Sequence, residues 1–233
     1  MHPSFVNPEF VFYHISKGGP GSGDFSHSGR PGIVGGSGKG TEDIHGRIHK
    51  TTDKIRNLTH EEGMLFDKNG KLLYHEGKEG DVYQFDPSPE FEEKLHGNIF
   101  VHNHPVDLPF SEADMETAFR DRPAEMQVVT HKNAYILDPG PKGWTGDGTD
   151  KPPNAKQLHE FWKVRDDAIK EMKEKYHFPD TYGPDTPDFD KYQDDLIRKI
   201  ADHYGWKYTK KSLKELPQKP VKIPTDGGGH PHQ

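Results

Sequence analysis

Apolar and polar positions alternate in short bursts between residues 61 and 138, with the period of two that strands require. Gly63–Asp67 (GMLFD), Lys71–Tyr74 (KLLY), Asp81–Phe85 (DVYQF), Asn98–His102 (NIFVH), Gln127–Thr130 (QVVT) and Ala134–Asp138 (AYILD) each fit a short strand. Asp67-Lys-Asn-Gly70 is a hairpin-turn signal between the first two. Pro87–Leu95 and Ser111–Arg120 read as helices inserted between strands, and Thr41 to about Arg56 predicts a short helix or turn ahead of them. Strands and helices mixed in this order, with few residues to spare, predict a compact α/β layer structure around one sheet.

Past Trp144 a Gly/Pro/Asp-rich break ends the alternation and a helical period takes over. Leu158, Phe161, Trp162, Ile169, Met172 and Tyr176 share one face, and Tyr192, Leu196, Ile197, Ile200, Ala201 and Tyr204 share another. With Pro179–Pro187 as the turn, the pattern predicts a helical hairpin over residues 146–213, packed on an α/β unit at 42–145. The two ends are different in kind. Lys17–Gly40 contains 10 Gly, 4 Ser and 2 Pro, too little apolar surface to offset ordering entropy, so residues 1–41 predict a flexible arm. GSGKGT within it is no P-loop, because Gly40 follows Lys39 and Ile33 stands where the first Gly belongs. Residues 214–233, with Pro217, Pro220, Pro224 and three consecutive Gly, predict a disordered tail.

Composition narrows the chemistry. Only 30% of the 233 residues are apolar, so the strands and helices above must hold most of the core. Cysteine is absent, which removes disulfide scaffolds, thiolate zinc sites and Cys nucleophiles. No apolar run approaches the ~20 residues of a membrane span. Met1–Ile15 lacks a basic start and a long apolar run, so no secretory signal is expected and a cytoplasmic or particle-associated location is. A net charge of −7 lacks the basic footprint of a nucleic-acid binder. The 16 His are the oddity and direct attention to a nitrogen/oxygen metal site.

One stretch concentrates that chemistry: Asn98–Arg120, NIFVHNHPVDLPFSEADMETAFR. A strand ends at His102-Asn-His104-Pro105, and a helix opens at Ser111 with Asp114 in its first turn. Two imidazoles converging from a twisting strand end, with a carboxylate facing them from the helix start, supply three ligands and leave a fourth position open, the donor set of catalytic zinc. Each part also has a plainer reading. At 16 His in 233 positions, an HxH pair arises by chance about once, and His230 and His232 form another in the tail. Ser111-x-x-Asp114 also reads as a helix N-cap with an acid at N3.

In combination these residues resemble the JAB/JAMM (MPN-type) zinc metallopeptidases, whose signature is an upstream Glu, then HxHP, then S-x-x-D. The gap from His104 to Ser111 is one residue shorter than the commonest family spacing. The resemblance implies a JAB/MPN-like mixed sheet flanked by helices, with His102, His104 and Asp114 as Zn2+ ligands. It implies amide hydrolysis by a zinc-bound water, Glu61 as general base and then acid, and Ser111 as hydrogen-bond donor to the oxyanion. Glu61 is preferred because strand alternation places it with Gly63 and Leu65, and because related phage and prophage proteins carry their Glu six residues before the Asp of such an FD-x-x-G turn. Glu62 is the alternative.

A wider resemblance, to prophage-associated JAB-like proteins, covers about Glu61 to Tyr208: E-x4-FD-x-x-G, HNHP, FS-x-x-D, AEMQVVTHKNAYILDPGPKGW and a closing HYGWKY. The Gly-rich arm is similar to segments of phage head-associated proteins. The implied function is a peptidase or isopeptidase acting on a polypeptide in a phage or prophage setting, with a phage structural protein as a possible partner and no nucleic-acid or membrane partner. The alternative is a non-catalytic JAB-like binding module tethered to a virion component; a metal-dependent nuclease fits the acidic balance less well. His131, His96, Glu90 and His203 read as surface positions, and Trp144 and Trp206 as core anchors. For the second nitrogen of each imidazole, Asp107 or a backbone carbonyl is a candidate acceptor.

Overall fold

A computed structural model describes residues 44–77, 85, 87–179 and 182–214 of the chain. The expected arm at 1–41, most of the expected strand at Asp81–Phe85, and the tail beyond 214 lie outside these residues. α1 (Ile44–Thr52) leads into β1 (Glu62–Phe66) and β2 (Leu72–Gly77), and the short α2 (Pro89–Glu92) precedes β3 (Ile99–Asn103). α3 (Glu112–Asp121), β4 (Glu125–Val129) and β5 (Asn133–Asp138) follow, then α4 (Ala155–Tyr176), α5 (Phe189–Tyr204) and β6 (Lys207–Ser212).

The strands form one mixed sheet of six in the order β2-β1-β3-β4-β5-β6. Among the described strands only β3 and β4 run parallel, and α3 makes the crossover that a parallel pair needs. The β1–β2 hairpin closes as the DKNG signal requires. The Asp67 carboxylate accepts from the Asn69 and Lys71 N–H groups, and Gly70 takes φ +78°, a region that favours glycine.

Alternation sorts the sheet's side chains into two cores. Leu65, Phe100, Val128, Tyr135 and Leu137 face the larger one, with Met115 and Phe119 of α3, Phe161 of α4 and Leu196, Ile200 and Tyr204 of α5. Met64, Phe66, Ile99, Val101, Val129 and Ala134 face the smaller one, which α1 covers with Ile48 and the following turn with Ile55. β3 is buried along its whole length, as a central strand covered on both faces must be. α4 and α5 pack on each other, and Tyr176 and Lys175 of α4 both reach the Asp195 carboxylate of α5. Trp144 and Trp206 are buried edge to face, ring centres 5.0 Å apart, and each indole N–H finds a backbone carbonyl.

β6 departs from the sequence pattern, which runs Lys207–Ser212 into the helical segment. These residues instead pair antiparallel with all of β5. Gly205 ends α5 in the left-handed conformation (φ +75°), and the Trp206 N–H bonds back to Ala201, turning the chain onto the sheet. KYTKKS lacks apolar alternation because it is an edge strand; its lysines suit an edge that must not pair further.

Candidate metal centre

β3 and α3 bring the three expected ligands together. His102 pairs with Gly63 of β1 and Val128 of β4 and is 2% exposed. His104 lies just past the strand, where its N–H still bonds to the Val129 carbonyl at 3.1 Å. Asp114 is the N3 residue of α3. Its carboxylate accepts the Ser111 N–H at 2.6 Å while the Ser111 hydroxyl accepts the Asp114 N–H at 3.2 Å, a reciprocal capping box. The cap fixes the carboxylate at the positive end of the helix dipole, against the two imidazoles.

The ligand atoms form a tight triangle. His102 Nε2 lies 3.2 Å from His104 Nε2 and 3.0 Å from Asp114 Oδ1, and His104 Nε2 lies 3.3 Å from Asp114 Oδ2. Four ligands around zinc at ~2.0–2.1 Å stand about 3.3–3.4 Å from one another, and these separations, with the two imidazoles facing different oxygens of Asp114, are of that size. Among the described residues this is the group of His, Asp and Glu side chains placed to hold a metal ion. Two imidazole nitrogens 3.2 Å apart, each also facing an oxygen of one carboxylate, are a nitrogen/oxygen donor set that a single cation would suit.

Electrostatics lead to the same place. Burial favours a neutral Asp114, but the charge and hydrogen bond of His102, then those of His104, outweigh it and hold the carboxyl well below its usual range. Burial likewise disfavours a proton on His104, but its bond to Asp114, the Asp114 charge and the Glu61 charge together raise its pKa above 6.5. His104 Nδ1 lies 3.2 Å from the Leu108 carbonyl, which can only accept, so Nδ1 carries a proton and Nε2 is the nitrogen turned to the triangle, where its own proton goes to Asp114 until a metal displaces it. Asp107, the other candidate for this supporting role, is occupied elsewhere, by the Thr130 hydroxyl and the Asn133 amide. His102 Nδ1 is buried without a partner.

The two candidate glutamates part ways. Glu61 Oε1 lies 4.0 Å from His104 Nε2, and its Oε2 accepts the Phe85 N–H at 3.0 Å. Glu62 accepts from His60 at 3.0 Å and from His75 at 2.6 Å, away from the triangle. The reason is the period of two: Gly63, opposite His102, has the same parity as Glu61, and Met64, on the other face, has that of Glu62. Ser111 donates its hydroxyl proton to Asp114 Oδ2 at 2.8 Å, so it is brought to the site through the cap. His131 pairs with Asn57, His96 with Asp150 and Glu90 with Lys94.

Comparison with family models, curated proteins and solved structures finds no match to this chain. The site must be read from its own geometry.

That geometry includes three groups the sequence reading did not single out: the Leu108 carbonyl, the Phe85 N–H and the Asn103 side chain. The first two are backbone groups and carry no residue-type signal. Gly63 did carry one, since glycine within a strand often marks a close approach. A Cβ there would lie 2.4 Å from the Phe85 ring.

Proposed function

We propose that this protein is a zinc-dependent peptidase or isopeptidase of the JAB/JAMM type, acting on a polypeptide in a phage or prophage setting. The observation that carries the reading is the His102–His104–Asp114 triangle, with edges of 3.0–3.3 Å and a non-ligand carboxylate, Glu61, 4.0 Å from His104. Two imidazoles and one carboxylate are the donor set of hydrolytic zinc, and thiolate-preferring metals have no ligand in a chain without Cys.

When bound, zinc supplies a Lewis acid and brings the pKa of a coordinated water toward ~7. The protein does the rest. Glu61 takes the proton of the attacking water on Oε1 and later delivers it to the leaving amine, while the Phe85 N–H keeps its other oxygen in place. The Leu108 carbonyl holds His104 in the tautomer that offers Nε2. Ser111 and the first turn of α3 hold the Asp114 carboxylate, and this reading gives the Ser111 hydroxyl the further role of donor to the developing oxyanion. In the described structure that hydroxyl is spent on Asp114, the one observation that favours the alternative of a non-catalytic binding module.

The test is hydrolysis of a set of peptide-linked and isopeptide-linked substrates by the zinc-loaded chain. The account expects amide cleavage that a chelator abolishes and that Glu61→Gln loses. Cleavage undiminished in Glu61→Gln contradicts it.

A further inference from the structure

Asn103 stands between the two histidines of the triangle in the sequence, and is wholly buried. Both ends of its amide are engaged. Oδ1 accepts the Glu62 N–H at 2.7 Å, and Nδ2 donates to the His60 carbonyl at 2.9 Å. The backbone register of β1 on β3 ends at Gly63 and His102. From there the Asn103 amide stands in for the next rung of the ladder.

The two groups it holds are those that bracket Glu61. In an extended strand the carbonyl of one residue and the N–H two residues on point to the same side, and the residue between them makes no ladder bond of its own on that side. Strand ends fray first, so Glu61, one residue outside β1, is where the chain would peel away from β3. An amide is the side chain that fits. It presents one donor and one acceptor in a fixed plane, whereas Asp lacks the donor and Leu lacks both.

We propose that Asn103 is the positioning residue for Glu61, tying the proton-carrying carboxylate to the same strand end that supplies His102 and His104. The inference rests on the reading of Glu61 given above. It explains why a buried polar residue occupies the place between the ligands: the distance from Glu61 to the metal site is set by a neighbour of the ligands themselves. Hydrolysis requires the carboxylate to be held within a fraction of an ångström; on the β3 side the Asn103 amide holds the backbone on either side of Glu61, and the Phe85 N–H holds its carboxylate.

Amide hydrogen exchange on the isotope-labelled full chain tests this without a substrate. The informative probe is Phe85, whose N–H bonds to Glu61 Oε2 and makes no bond to Asn103. In Asn103→Leu the Glu62 and Phe85 amides should both exchange about ten-fold faster or more, the loss expected of a hydrogen bond. Glu61→Ala should free Phe85 alone, and amides in the centre of β3 should keep their protection in both. Phe85 exchange in Asn103→Leu equal to that of the unsubstituted chain overturns the proposal, because Asn103 would then stabilise β1 without placing Glu61. Should Asn103→Leu not fold, Asn103→Asp keeps the acceptor for Glu62, loses the donor to His60, and is read on the same Phe85 amide. Zinc content of the same samples separates the two levels of the account. An unsubstituted chain that binds no zinc overturns the metallopeptidase reading, and the exchange result decides the positioning role independently.

Discussion

Asp114 meets His102 at 3.0 Å with one carboxylate oxygen and caps α3 through Ser111 with the other. The plain reading of Ser111-x-x-Asp114 as a helix cap and its reading as part of a metal site are therefore not rivals. The cap is the device that aims the carboxylate.

Ser111 and Asp114 should separate on substitution. Ser111→Ala should cost about 1 kcal/mol of stability through the lost cap while zinc stays bound. Asp114→Ala should lose the cap acid and most zinc affinity together. Denaturant unfolding and metal titration on both variants check this; equal zinc binding in Asp114→Ala and the unsubstituted chain would reduce Asp114 to a helix-start residue.

Glu61 and Glu62 should differ although adjacent. Glu61→Gln should keep zinc and lose hydrolysis, since it is no ligand yet lies 4.0 Å from His104. Glu62→Gln should keep both, weakening only the pairing of β1 with His60 and His75. Activity lost in Glu62→Gln but kept in Glu61→Gln would reverse the assignment.

Zinc binding should depend on pH through His104. Its pKa is raised above 6.5, so in the metal-free protein it keeps a proton that zinc must displace. Affinity should climb as pH rises toward that pKa and level off above it. Stability of the metal-free protein should move the other way. The contribution of a raised pKa is complete below 6.5 and is lost as pH rises through the folded value. Asp114 contributes the opposite sign: its share is present above 3.8 and is lost only as pH falls through its depressed value. Calorimetric titration and thermal melts between pH 5 and 9, with and without zinc, follow both trends; a zinc affinity flat across neutral pH would contradict the His104 assignment.

Gly63→Ala should be costly despite its small size. The new Cβ would meet the tip of the Phe85 ring at 2.4 Å, and the ring must then shift against Phe91 and Phe100, an overpacking worth ~1–3 kcal/mol. Chemical denaturation measures this cost. A variant as stable as the unsubstituted chain would show that Phe85 does not lie against Gly63.

Much of this was legible in the sequence, for physical reasons that differ by element. Buried strands such as Ile99–Asn103 announce themselves by apolar runs, and the DKNG turn by residues that only tight turns favour. His102, His104 and Asp114 were legible because their convergence follows from local geometry: a strand end, a short loop and a helix cap. The choice of Glu61 over Glu62 followed from strand parity together with the spacing to the FD-x-x-G turn. What escaped depends on partners distant in the chain. β6 is polar along its outer side and becomes a strand because β5 has a free edge. Asn103 looks like a spacer in HNHP until β1 is laid beside it and its amide meets the backbone on either side of Glu61.

The central claim, that His102, His104 and Asp114 hold zinc, is tested most directly by metal content. Elemental mass spectrometry would be applied to the full chain with His230 and His232 replaced, so that the tail contributes nothing. The account predicts one zinc per chain, lost in His104→Ala. No zinc after incubation with the metal, or equal zinc in His104→Ala, would contradict it.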